Sequence, residues 1–381
     1  MFTLIEKGEV FAPNPLGQRD VLLINDKIAK LGEINWRPLE QTGLALEVID
    51  ATDCVITPGF VDPHEHLLGG SGEQGFSTQT PEIFLSEIVS AGITTVVGCL
   101  GVDTTTKTMP GLLARAKALG EEGLTAYIYS GGYHVPPTTI TGSLRDDLIL
   151  IDEVIGAGEI AISDNRAAEP STRELAKLAS EAYTGGLLSG KAGVTHIHVG
   201  DHKRRLSPLR AVLDKYAVEP HWLYPTHVER NQELMKEAIA FAQRGAFVDV
   251  DTVEEDLSDW LRFYLDHNGD LRQLTASSDA AISSPRTLYE QIRGCVLGYK
   301  FPLELVLSIV TTNPAAALKL ENKGVLAPGK DADLLVLSKD SLELTEVIAR
   351  GRRMMERGKL RIQEKFLTRS NRSIAVHGRK A

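Results

Sequence analysis

The chain has 381 residues, 43% hydrophobic and 24% charged, enough for one large globular domain and a smaller one. Its 51 acidic against 41 basic residues leave a formal charge of −10, which argues against general nucleic-acid binding and for a soluble cytoplasmic protein. We expect no membrane partner and no disulfide framework: no apolar run approaches ~18 residues, the N-terminus lacks a signal-peptide layout, and Cys54, Cys99 and Cys295 are scattered.

In chain order, residues 21–24, the turn Asn25-Asp26 and residues 27–31 read as a β-hairpin, and 46–49 as a further strand. The same texture returns at 332–337 and 347–350. We therefore expect a small β-sandwich domain built from both chain ends, residues 1–57 and 323–362. Residues 58–322 lie between them as eight strand–helix units. The strand candidates are 60–62, 94–99, 126–130, 159–163, 194–199, 223–226, 247–249 and 274–278. Helix-end signals separate them: Thr80-Pro81 with Gly92, Ser207-Pro208, and Asn231 with Gly245. Eight such units are the size of an α/β (β/α)₈ TIM barrel, and a doubly wound sheet is the alternative. The basic residues Lys365, Arg369, Arg372, Arg379 and Lys380 mark 363–381 as a solvated C-terminal tail.

The chemistry gathers at the strand ends. An apolar run leads into His64-Glu65-His66, and residues two apart on a strand point the same way, so both imidazoles can grip one metal ion. Glu159 opens the fourth strand, His198 ends the fifth, His227 follows the sixth and Asp279 the eighth. Four histidines and two carboxylates on one rim can hold two divalent cations, and zinc suits imidazole. A hydroxide shared by two metals is a strong nucleophile at neutral pH.

The order His-x-His, acidic residue, His, His, Asp resembles the amidohydrolase superfamily. Further blocks resemble its isoaspartyl (β-aspartyl) dipeptidases: 69–73, 131–136, 162–166, 185–191, 225–230 and 277–279. The resemblance implies metal-dependent hydrolysis of β-aspartyl dipeptides by a metal-bridging hydroxide, in a homo-oligomer, the family octamer. His64, His66, Glu159, His198, His227 and Asp279 would hold the metals. Asp279 would also shuttle the proton and Tyr133 would stabilise the oxyanion. Glu73 would take the substrate ammonium, and Arg166, Arg230 and Ser283 its carboxylates. The sequence departs from the family at Glu159, where a carboxylated lysine is usual, at Val102 for threonine, at Asn165 for histidine, and in the short stretch after Asp279. The alternatives are an N-acyl amino-acid deacylase, a cyclic-amide hydrolase, or a catalytically silent scaffold of the same fold.

Overall fold

A computed structural model describes residues 2–40, 43, 45–254 and 256–371. The N-terminal strands are β1 (Phe2–Phe11), β2 (Pro15–Ile24), β3 (Lys27–Gly32), β4 (Leu46–Asp50) and β5 (Cys54–Pro58). The barrel strands are β6 (Phe60–Glu65), β7 (Ile93–Gly98), β8 (Thr125–Ser130), β9 (Val154–Ile162), β10 (Val194–Val199), β11 (Leu223–Thr226), β12 (Val248–Asp251) and β13 (Leu274–Ser277). The chain returns through β14 (Leu334–Ser338), β15 (Leu344–Ala349), β16 (Arg352–Glu356) and β17 (Lys359–Leu360).

The first five strands and the last four form one hydrogen-bonded sheet in the order β17-β16-β15-β14-β5-β1-β2-β3, with β4 parallel to β1. The join is the antiparallel pairing of β14 with β5, which brings Val336 opposite Ile56. Its side chains, among them Ile5, Val21, Ile56, Leu334 and Ile348, make a core separate from the barrel's. The expected sandwich is thus realised as one continuous nine-stranded sheet, because this join links the two groups of strands edge to edge.

β6 to β11 form a curled parallel sheet, and β12 pairs in parallel with β13. The seams are held by Asp279 N–H to His64 O at 3.1 Å, His66 N–H to Ala280 O at 2.9 Å, and the Thr226 hydroxyl to Asp249 Oδ2 at 2.8 Å. This is a TIM-barrel-like domain beside a sheet domain. Helices cover its outside with one apolar face each. Thr172–Ser189, for example, is opened by a Ser171–Glu174 capping box and closed by left-handed Gly190, and it buries Leu175, Leu178, Ala179 and Ala182.

Several local expectations need correction. Thr80 does not cap a helix: its hydroxyl accepts from Gly70 N–H and donates to Ala281 O, tying two rim loops together, and the helix runs over Leu85–Ser90. Ser207 lies inside the first turn of Ser207–Lys215, which it does not cap. β9 starts five residues before Glu159, because its apolar first half is as strand-like as the second. The start of the basic tail is docked. Lys365 N–H donates to Glu122 Oε1 at 2.8 Å and Phe366 packs near Phe84, while Arg372, Arg379 and Lys380 lie outside the described residues.

Candidate metal centre

The barrel strands deliver their polar residues at their C-terminal ends, where such folds carry their chemistry. His64 and Glu65 end β6, His66 follows it, and His198 lies near the end of β10. His227 and Asp279 come one and two residues past β11 and β13. Both adopt left-handed backbone, φ 61° and 44°. That conformation is costly for side chains other than glycine and recurs at functional sites. Glu159 is set by a bulge in β9. Ala157 pairs with Thr195 and Ile160 with Ile197, so Gly158 and Glu159 together face His196.

All six expected ligands converge. Glu159 stands at the centre and is fully buried. Its Oε2 lies 3.4 Å from His64 Nε2 and 3.7 Å from His66 Nε2. Its Oε1 lies 2.8 Å from His198 Nδ1 and 3.1 Å from His227 Nε2. Asp279 Oδ1 is 3.1 Å from His66 Nε2 and 3.4 Å from His64 Nε2. His64 Nε2, Glu159 Oε2 and Asp279 Oδ1 are buried and have no hydrogen-bond partner among the described residues. Leaving such groups unpaired costs about 1–3 kcal/mol each, more when charged. Their convergence fits cations held between them. A carboxylate presenting one oxygen to each of two histidine pairs makes Glu159 the common member of two candidate donor sets.

The electrostatics agree. Burial alone would lower the His64 imidazole, but Glu159, Cys99 and Asp279 outweigh it and raise it well above its usual range. His227 is likewise lowered by burial, yet Asp251 and Glu159 push it up to about 9. Burial would raise Glu159, and the surrounding imidazoles draw it well below the usual carboxylate range. The site is built for positive charge, which protons supply when cations do not.

Two carboxylates unforeseen in the sequence complete the surroundings. Asp251, at the end of β12, accepts from His227 Nδ1 at 2.6 Å, which leaves Nε2 turned toward Glu159. Asp164 lies 2.9 Å from His198 Nε2 and grips the Arg166 guanidinium with both oxygens, at 2.9 and 2.8 Å. The one acidic residue of the block 162–166, Asp164 itself, and the strand-end position of Asp251 were the available signals. Tyr133 places its hydroxyl 2.9 Å from His198 Nδ1, and burial holds it as a phenol, well above its usual range. Above the candidate ligands opens a cavity of about 800 Å³ whose lining includes Glu73, Val102, Arg166, Arg230, Trp260 and Ile282. Glu73 Oε1 accepts from Arg166 Nη1 at 2.7 Å. Arg230 donates from Nε to Val199 O at 2.7 Å. Ser283 is not brought to this lining, because the chain turns away after Ile282 into the helix Arg286–Leu297.

Fold and donor set together define a barrel hydrolase of the amidohydrolase class. The model of that family matches residues 190–354. A curated dihydroorotase from Lactobacillus johnsonii is 25% identical over 88% of this chain and 89% of its own. The structure of a β-aspartyl dipeptidase from Fervidobacterium islandicum superposes with a TM-score of 0.91 at 39% identity, covering 95% of this chain and 99% of that one. A second structure of that protein, in complex with a β-Asp-Leu dipeptide, gives 0.89 and 38% over the same shares. A D-hydantoinase from Thermus shares the fold alone, at 14% identity and a TM-score of 0.66. The chain belongs to the β-aspartyl dipeptidase family of the amidohydrolases.

Proposed function

We propose that the chain is a metal-dependent hydrolase that cleaves the amide between an aspartyl β-carboxyl and the amine of the next residue. The carrying observation is Glu159, shared between two donor sets at the inner end of a cavity walled by Glu73, Arg166 and Arg230. The F. islandicum relative, a β-aspartyl dipeptidase seen with β-Asp-Leu, supports it. In this reading His64, His66, Glu159, His198, His227 and Asp279 hold two divalent ions, with zinc favoured by the imidazoles. When bound, the ions supply Lewis acidity and lower the pKa of water.

The side chains supply the rest. Glu73 and Arg166 form an ion pair that is half exposed on the glutamate and one third on the arginine. Such a pair contributes only ~0–1 kcal/mol, so a zwitterionic head group can open it, ammonium to Glu73 and carboxylate to Arg166. Asp164 holds the guanidinium in place meanwhile. Arg230, anchored through Nε on Val199 O, takes the second carboxylate through its remaining nitrogens. Tyr133 donates its phenolic hydrogen to the oxygen that gains charge as water attacks the carbonyl carbon. Asp279 takes the proton released from that water and returns it to the leaving amine as the C–N bond breaks.

A panel of β-Asp-Leu, α-Asp-Leu, γ-Glu-Leu, N-acetyl-leucine and hydantoin tests the reading. Only β-Asp-Leu should turn over appreciably in the metal-loaded protein. Cleavage of hydantoin instead would favour the cyclic-amide reading, which the dihydroorotase likeness keeps in view. We also take the protein to be a cytoplasmic homo-oligomer. Sparse cysteines support the first, and the exposed leucines Leu150, Leu187 and Leu188 on adjacent helices support the second. Light scattering would report a single-chain mass if the second is wrong. No helix among the described residues is long and apolar enough to cross a membrane.

A further inference from the structure

We infer that Cys99 is a thiolate ligand in the His64–His66 half of the centre, adding a sulfur to its two imidazoles and carboxylate oxygens. The inference rests on the metal-dependent reading above. Cys99 follows β7 directly, points into the barrel interior and is 1% exposed. Its Sγ lies 3.6 Å from His66 Nδ1 and 3.9 Å from His66 Nε2. One donor atom each from His64, His66, Cys99 and Glu159 all lie within 4.8 Å of one another. Bonds of ~2.0–2.3 Å in a tetrahedral zinc site put donors roughly 3.3–3.8 Å apart. The Glu159 Oε2 separations from His64 Nε2 and His66 Nε2, 3.4 and 3.7 Å, fall in that range, and 3.9 Å to the sulfur is just beyond it.

Two of the four donors, His64 Nε2 and Glu159 Oε2, are fully buried with no hydrogen-bond partner among the described residues, and both face this gap. The thiol also interacts with the His64 side chain, and its backbone contact is Glu65 O at 3.7 Å. The other half of the centre, Glu159 with His198 and His227, contains no sulfur. The two halves therefore differ in softness. Soft thiolate selects zinc and cadmium, whereas carboxylate-rich sites suit manganese.

X-ray absorption on the zinc-loaded protein tests this. We expect a sulfur neighbour at about 2.3 Å, lost in Cys99→Ala and kept in Cys54→Ala, whose thiol lies in β5 of the sheet domain. In Cys99→Ser the preference for cadmium over manganese should fall by at least the ~10–100-fold that even loss of an outer partner costs a metal site. Zinc bound with nitrogen and oxygen neighbours only would overturn the role of Cys99 and leave the metal-dependent reading standing. A parent protein that binds no zinc would overturn both. The parent spectrum decides the matter even if a variant does not fold.

Discussion

Asp279 enters the site on left-handed backbone and keeps Oδ1 free of any hydrogen bond among the described residues, although its neighbours are histidines. An ionised carboxylate has two acceptor oxygens, so one can face a cation while the other relays a proton. Asp279→Asn should keep most of its metal yet lose at least ~10²-fold in kcat, the usual scale for a general acid–base group. Steady-state kinetics beside metal analysis measures both, and a kcat within a few-fold of the parent would remove Asp279 from proton transfer. Glu73 and Arg230 should act on binding. Loss of a charge-assisted hydrogen bond is worth ~1.5–3 kcal/mol, or about 10- to 150-fold. Glu73→Gln and Arg230→Ala should lower kcat/KM for β-Asp-Leu on that scale with metal content unchanged. The parent should reject N-acetyl-β-Asp-Leu, which lacks the ammonium, and Glu73→Gln should discriminate far less. Equal cleavage of blocked and free substrates by the parent would show that Glu73 does not read the amine.

The bulge in β9 is the element on which the centre depends. Glutamate is shorter than a carboxylated lysine, and here β9 approaches β10 closely beside it. A side chain on Gly158 would meet His196 O at 2.8 Å and His196 Cβ at 2.9 Å, at φ 148°. Gly156 is equally confined, 2.6 Å from Val194 O. Gly158→Ala should therefore cost about 1–3 kcal/mol of stability and displace Glu159 enough to lower metal occupancy. Gly120→Ala is the control. Gly120 lies in the helix Met109–Glu122 with open space around it, and alanine should be neutral or stabilising by up to ~1 kcal/mol. Denaturant melts with elemental analysis compare the two. Equal behaviour would mean that the close approach of β9 and β10 does not set Glu159.

At the scale of the whole molecule, bound cations would complete the balance of charge. Four histidines and the carboxylates of Glu159, Asp279, Asp251 and Asp164 are gathered largely out of water. We expect about two divalent ions per chain in protein from metal-supplemented medium, and a lower Tm after chelation, since ligands that bind only the folded state stabilise it. One ion or none at saturation would contradict the sharing of Glu159. Protons compete with cations for the imidazoles. Because the folded protein raises His227 to about 9, competition begins at higher pH than for free imidazole, and metal affinity should fall steadily as pH drops from there. Calorimetric titration with zinc at several pH values measures this, and a flat profile from pH 9 to 6 would count against the site.

The barrel and the six candidate metal ligands were legible in the amino-acid sequence, because both rest on local patterns. Each of the strands carrying His64, His198, His227 and Asp279 is a short local pattern, and parallel strands in a barrel must end on the same rim. The hairpin at Asn25 was legible for the same reason, and so was the Asn231 cap. Only the folded chain shows which other residues stand beside those candidate ligands. Asp251 is 24 residues from His227, Asp164 is 34 from His198, and Cys99 is 33 from His66. Such pairings depend on how neighbouring strands are staggered, which no local periodicity records. The Glu73–Arg166 pair joins loops 93 residues apart. Ser283 lies just beyond the cavity because a loop's path is set by where both of its ends are held. Even the placing of Glu159, named from the sequence, required the β9 bulge, which exists because Gly156 and Gly158 let two backbones approach more closely than any side chain would permit.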